Sequence, residues 1–283
     1  MWIKAIFLKK HSAMRNLCVI MLQSFKREVL LLQGEIQSVV RSFSIIEFLA
    51  TSTEPQLLKT IADICNLPTS TTHRLLNNLC AMGYAKNLGT GQYKLTYKLF
   101  EISSQSIHQT SVISIAKPYL DNLSKKLCQS VHLVVRDDTD VVYVYKVTNS
   151  VGSVQMASRI GMHLPMYRTA VGKALLATLP DDEITRIFNE SHGPAVTRKT
   201  ITDKEQLLKN ISLIRQNGYA VDDEENEEGV MCFAVTIGRK DAEIQYAFSV
   251  STIKDWISEE RQQEIIHALK ETREEINRHL FLI

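Results

Sequence analysis

Apolar residues recur at helical spacing from residue 38 onward, with Val39, Phe43, Ile46 and Leu49 or Ala50 on one side of the segment 38–50. The polar stretch Thr51–Pro55 interrupts the pattern, and a second short helix is predicted over 57–65, with Leu57 or Leu58, Ile61 and Ile64 on its apolar side. Asn66-Leu67-Pro68 reads as a tight turn. A third helix follows over 69–82, where Thr69 or Ser70 is placed to cap its start and Gly83 to stop it. Tyr84–Lys86 and Gln92–Leu95 then read as two short strands around a Gly-containing hairpin loop. Three short helices and a ribbon in about sixty residues make the outline of a winged helix-turn-helix.

The third helix has two unlike faces. Leu75, Leu76, Leu79 and Met82 are expected inside, while Ser70, Thr71, His73, Arg74, Asn77 and Asn78 lie on the other side. That polar side holds hydroxyls, amides and one guanidinium but no carboxylate, which suits phosphates and base edges. A merely solvated face usually mixes Glu with Lys, and this one does not. The expected DNA-facing set is Arg41, Thr69, Ser70, Thr71, Thr72, His73, Arg74, Asn77, Lys86, Tyr93 and Lys94.

From 97 to 128 the spacing is helical around Pro118, reading as a linker helix able to pair with a second subunit. From 131 the period changes to two. Two β-rich runs are joined by Asp137-Asp138-Thr139-Asp140, a hairpin, and further strands are predicted at 154–157, 219–221, 231–237 and 243–251. Helices are predicted at 170–178, 181–190, 203–216 and 257–280. The mixture implies an α+β fold with a central, mostly antiparallel sheet. The expected division is an N-terminal extension over 1–37, the winged helix-turn-helix over 38–96, a linker helix over 97–113 and a second domain over 114–283.

The chain has 283 residues and a net charge of only +2, with 45% hydrophobic and 23% charged residues. This excludes polycationic and acidic disordered proteins, but the sum hides an uneven distribution. Residues 1–37 carry six basic and two acidic side chains, and residues 38–97 five and three, so residues 1–97 are +6 and the remainder −4. Most of the excess lies in 1–37, where Met14 and Met21 are alternative starts, and if translation begins there the asymmetry shrinks. The five scattered cysteines form no C-x-x-C pair and fit a reducing, cytoplasmic setting. No stretch approaches the roughly 18 apolar residues of a membrane span. Neither a metal nor a cofactor is expected. The histidines lack ligand spacing and read as surface or packing residues, and Gly172-Lys173 lacks the remaining residues of a phosphate loop. The run 222–228, six carboxylates in seven residues, lacks calcium-loop spacing and reads as a solvated acidic turn.

Three ordered blocks carry a specific resemblance: Leu67–Leu76, then Arg159-Ile160-Gly161 with Leu164–Ala177, then Gly218–Cys232. In these blocks, and over about 38–281, the chain resembles the IclR family of bacterial transcription regulators. The family often has Val at the place of Thr72. The resemblance implies a winged helix-turn-helix, a helical linker and a C-terminal effector-binding domain similar to GAF and PAS sensors. It also implies a double-stranded DNA operator, often palindromic and near a catabolic operon, a small organic-acid effector, and a homodimer or homotetramer.

By analogy with family members that bind small carboxylates, the effector pocket is expected to be lined by Met156, Leu164, Ala170, Val171, Asp222, Cys232, Ser249 and Ser251. Independently, Ser249 and Ser251 are two apart and share one face of a strand. A helix beginning near Ala170 offers N–H groups to an anion, and Arg168 is a further cation beside it. Together these suit a carboxylate such as a sugar acid, while Phe233 and Met156 leave an aromatic ligand open. A competing reading makes the second domain a GAF-like enzyme with Cys232 as redox centre or nucleophile. A third keeps a metabolite-binding scaffold with a vestigial DNA module.

Overall fold

The computed structural model describes residues 36–107, 111–148, 158–191, 194–238 and 245–280. The chain divides into two compact units between residues 107 and 108. Nearly all of the expected N-terminal extension, the strand at 154–157, and Met156 within it lie outside the described residues.

The first unit contains α1 (Gln37–Thr51), β1 (Gln56–Leu57), α2 (Leu58–Ile64), α3 (Thr69–Ala81), β2 (Ala85–Asn87), β3 (Gln92–Leu95) and α4 (Lys98–Ile107). Ile45, Ile46 and Leu49 of α1, Ile61 of α2, and Leu75, Leu76 and Leu79 of α3 close on Ala85 and Tyr93. The i, i+3, i+4 spacing of the apolar residues therefore becomes a single three-helix core. Gly83 ends α3 with φ +82, and Tyr84 N reaches back to the Leu79 carbonyl, a close that favours glycine. The ribbon is three-stranded rather than two-stranded, in the order β1-β3-β2, because Gln56 and Leu57 pair with Tyr93 and Gln92. Met82, expected inside, is exposed, since it stands past the last turn that packs.

The second unit begins with α5 (Ser111–Leu127), which contains Pro118, and the hairpin β4 (Ser130–Asp137) and β5 (Asp140–Val147). It continues with β6 (His163–Pro165), a 3-10 turn over Met166–Arg168, and the helices α6 (Ala170–Leu176), α7 (Asp181–Ser191) and α8 (Lys204–Asn217). Last come β7 (Ala220–Asp223), β8 (Val230–Ile237), β9 (Tyr246–Ile253) and α9 (Glu259–Leu280). The six strands form one antiparallel sheet in the order β6-β5-β4-β9-β8-β7. Strand alternation assigns the two faces. Val131, Leu133, Phe233, Val235, Phe248 and Val250 meet α5 and α9, burying Leu120, Leu123, Leu127, Ile265, Leu269 and Ile276. Val134, Ala234 and Ala247 face α6, α7 and α8. Phe233 thus packs on the face away from α6. Among the described residues no helix is long and apolar enough to cross a membrane.

Candidate functional site

The first candidate surface is α3. Its N-cap is Pro68 and no side chain caps it, so the capping expected from Thr69 or Ser70 does not occur. The first helical bond runs from Thr72 N to the Pro68 carbonyl, at 2.9 Å. The N–H groups of Thr69, Ser70 and Thr71 therefore have no acceptor within the helix, and Thr69 and Ser70 are exposed. His73, Arg74, Asn77 and Asn78 are exposed along the same helix, and Asn77 Nδ2 lies 3.5 Å from His73 Nδ1. Amide donors at a helix start, followed by a guanidinium and carboxamides, form a surface suited to an anionic backbone and base edges.

On the wing, Lys86 and Lys94 are exposed and stand directly opposite each other across β2 and β3. Like charges in that position repel, and a phosphate beside them removes the penalty. Arg41 is half-buried on α1 and donates to Gln37 Oε1 at 2.8 Å. Two members of the expected set are instead interior. Thr72 is fully buried and its hydroxyl donates to the Pro68 carbonyl. Tyr93 is buried in the core, its phenol oxygen accepting from Asn87 Nδ2. Neither presents a polar atom to the outside, and the Val that the family often has in place of Thr72 was a signal of this.

The second candidate site is a cavity of about 50 Å³ at one end of the sheet face covered by α6, against the 10–15 Å³ that one water requires. It is lined by Leu164, Ala170, Val171, Asp222, Cys232, Ser249 and Ser251 from the expected set. The pairing register explains why they converge. Ser130, Ser251, Cys232 and Asp222 form one cross-strand row over β4, β9, β8 and β7, and His132 and Ser249 are paired in the row two residues along. Sequence reasoning missed His132, Tyr143, Ser158, Met162, Thr169, Asn226, Glu227 and Val230, which also line the cavity. The even-numbered alternation of β4 already placed His132 on this face. Arg168 is not in the lining; it is half-buried, and Asp140 feels its charge.

Asp222 Oδ1 accepts from the N–H groups of Glu225, at 2.8 Å, and Asn226, at 3.3 Å. Burial and then the neighbouring Glu225 push its carboxyl up to about 7, against the opposing pull of Lys173 and the two amides. Cys232 Sγ lies 3.1 Å from Ser251 Oγ, and burial holds the thiol far above its ordinary range. A redox or nucleophilic role needs a thiolate, which this environment suppresses.

The acidic run is not a solvated turn. Asp222 and Glu225 are buried, and Asp223 and Glu224 are clamped by Lys199 and Lys254. Thr200 Oγ1 fixes the Glu225 carbonyl at 2.7 Å, so the loop above the cavity is tied down on several sides. Among the described residues no group of His, Cys, Asp and Glu is arranged to hold a metal ion.

Comparison with known proteins bears on both surfaces. Residues 38–89 match the IclR helix-turn-helix domain, and residues 104–278 match the bacterial transcriptional regulator IclR C-terminal domain. The HTH-type transcriptional regulator KdgR of Escherichia coli is 32% identical over 235 residues, covering 83% of this chain and 89% of that protein. The DNA-binding transcriptional repressor YiaJ of the same organism is 30% identical over 248 residues, covering 86% and 88%. The crystal structure of Thermotoga maritima IclR superposes with a TM-score of 0.77 at 31% identity, covering 87% of this chain and 99% of that one. With both domain matches in order along it, the chain belongs to the IclR family of DNA-binding transcription regulators that respond to small-molecule effectors.

Proposed function

We propose that the effector is a small carboxylate such as a sugar acid, and that its binding releases a homodimer or homotetramer from a double-stranded operator near a catabolic operon. The observation that carries the effector assignment is the lining of the cavity. Hydroxyls of Ser158, Thr169, Ser249 and Ser251, the amide of Asn226 and the carboxyl of Asp222 surround a space for only a small molecule. An apolar wall from Leu164, Ala170 and Val171 completes a site with few polar groups and defined orientation. Phe233 is on the opposite face of the sheet, which weakens the aromatic alternative.

Thr69, Ser70, Thr71, His73, Arg74 and Asn77 are the proposed operator contacts, with Lys86 and Lys94 on phosphates. Ligand acts by shifting the balance between two arrangements of paired recognition helices, and the linker over 97–113 carries that shift. The relative named as a repressor supports release rather than recruitment as the sign. A cytoplasmic location accords with this role. The test is operator binding by the full chain, measured by fluorescence anisotropy, across a panel of sugar acids and short carboxylates. Weakened binding with at least one acid supports the reading. Binding that is insensitive to every acid and responsive to a neutral compound replaces it.

A further inference from the structure

The cavity contains a hydrogen-bonded chain that the expected pocket residues do not account for. Ser158 Oγ lies 2.9 Å from His132 Nε2, Ser251 Oγ lies 3.4 Å from His132 Nδ1, and Cys232 Sγ lies 3.1 Å from Ser251 Oγ. His132 is 2% exposed and stacks edge-on against Tyr143. We propose that His132 is a positioning residue of the effector site, which through Ser251 selects an effector oxygen that accepts a hydrogen bond and carries no hydrogen. This deepens the effector reading above and rests on it.

The argument is one of donors and acceptors. A serine hydroxyl has one hydrogen to give and two lone pairs. Burial keeps the Cys232 thiol protonated, so it has an S–H to give to Ser251 Oγ, 3.1 Å away. Burial, with Lys146 nearby, pushes His132 down to about 3, so the ring is neutral and has one N–H and one bare nitrogen. If the bare nitrogen is Nδ1, Ser251 spends its hydrogen on the ring. If the N–H is at Nδ1, it fills the second lone pair of Ser251, whose own hydrogen is then free for the cavity.

An acceptor oxygen arriving at Ser251 favours the second arrangement. Nε2 gives its proton to water, Nδ1 takes one from water, and Ser158 turns its hydroxyl to donate to Nε2. No net proton is bound or released. Ser251 then presents a hydrogen with both lone pairs filled, which disfavours an effector hydroxyl that must donate there. A carboxylate and a ketone share the required chemistry.

The test uses the full chain labelled with ¹⁵N-histidine and four small probes. Lactate offers a carboxylate without a ketone, dihydroxyacetone a ketone without a carboxylate, pyruvate both, and glycerol neither. The imidazole ¹⁵N shifts distinguish the two tautomers. The expected result is a shift of His132 to the Nδ1–H tautomer at saturation with pyruvate and with whichever of lactate and dihydroxyacetone binds, and no shift with glycerol. By calorimetry, His132→Leu weakens that binding about tenfold or more, the scale of a lost buried polar partner. His132→Asn, whose side-chain N–H takes the place of Nδ1–H, restores most of it and guards against a mere folding defect. An unchanged tautomer on binding, or a His132→Leu protein that binds as tightly as the wild type, overturns the proposal and leaves the effector reading standing. A wild type that binds none of the three acceptor probes and no sugar acid overturns both.

Discussion

Lys173 Nζ lies 2.5 Å from Glu225 Oε1, with the lysine side chain fully buried and the glutamate nearly so. This contact joins α6 to the loop that follows β7, the two elements that face each other across the cavity. Removing one member of a buried pair strands the other charge and costs about 3–5 kcal/mol. Lys173→Met is therefore expected to lower the melting temperature by roughly 10 °C in a domain of this size. Adding Glu225→Gln is expected to recover most of that loss. Thermal melts of the two single variants and the double variant measure the coupling directly, and additive losses would show that the pair is not a unit.

Beside it, Gly172 is required by a close approach rather than by its torsion angles. A Cβ on Gly172 would stand 2.2 Å from the Met166 carbonyl oxygen and 2.4 Å from its Cα, backbone atoms that have no rotamer to escape into. Gly172→Ala is expected to cost more than the 1–3 kcal/mol of ordinary overpacking and to displace the 3-10 turn from the start of α6. Because Ala170 and Val171 wall the cavity, the same change should abolish effector response while leaving the first unit folded. Proteolysis of the variant checks this, with a resistant N-terminal fragment as the expected product.

Gly172-Lys173 shows where sequence reading stopped. The pair lacks the other residues of a phosphate loop, and its two real reasons are a backbone approach to Met166 across the turn before α6 and a partner 52 residues away, neither of which a local motif displays. The helices and long strands were legible because their periods repeat over seven or more residues. Strands β1 and β6 have only two and three residues, so they show no period, and pairing with β3 and β5 defines them. Alternation along β8 puts Cys232 on the cavity face and Phe233 on the opposite, equally buried face, which the expectation of Phe233 beside an aromatic ligand overlooked. What it could not supply was the order β4-β9-β8-β7, which sets Ser130, Ser251, Cys232 and Asp222 in one row and brings His132 to the cavity. Thr72 and Tyr93 look like DNA contacts by residue type, yet each turns its polar atom to an internal acceptor or donor.

Asp222 makes the second unit sensitive to pH. Its carboxyl is pushed up to about 7 in the folded chain, while an unfolded Asp titrates near 3.9. Between those values the folded chain keeps a proton that the unfolded chain has lost, so stability falls as pH rises through the window and stays lower above it. Cys232 and Glu227 line the same cavity, and the charges of Glu225 and Lys173 act on Asp222 from beside it. Asp222→Asn keeps an oxygen for the Glu225 and Asn226 amides and removes the titration. Its melting temperature is expected to exceed the wild type's at pH 8 and to match it at pH 4. A carboxylate effector beside Asp222 favours the protonated acid, so wild-type affinity should fall as pH rises above 7 and the variant's should stay flat. Calorimetric titration at pH 6 and pH 8.5 decides this.

At the other end of the chain, Arg74 and the lysine pair of the wing make separable predictions. Arg74 is exposed midway along the carboxylate-free face of α3, and base edges are its proposed contact. Lys86 and Lys94 are opposed across β2 and β3 of the wing, and phosphates are their proposed contacts. Losing a base contact costs about 1–3 kcal/mol of discrimination, whereas losing a phosphate contact weakens binding to every sequence and lowers the salt slope by about one. Arg74→Ala is therefore expected to cut operator affinity about tenfold to a hundredfold while leaving binding to unrelated DNA nearly unchanged. Lys86→Ala and Lys94→Ala should weaken both by similar factors and flatten the dependence of log K on log salt. Anisotropy titrations against operator and scrambled duplex, repeated at several salt concentrations, distinguish the two patterns. Equal losses on both duplexes for Arg74→Ala would reassign it to the phosphate backbone and shift sequence reading to His73 and Asn77.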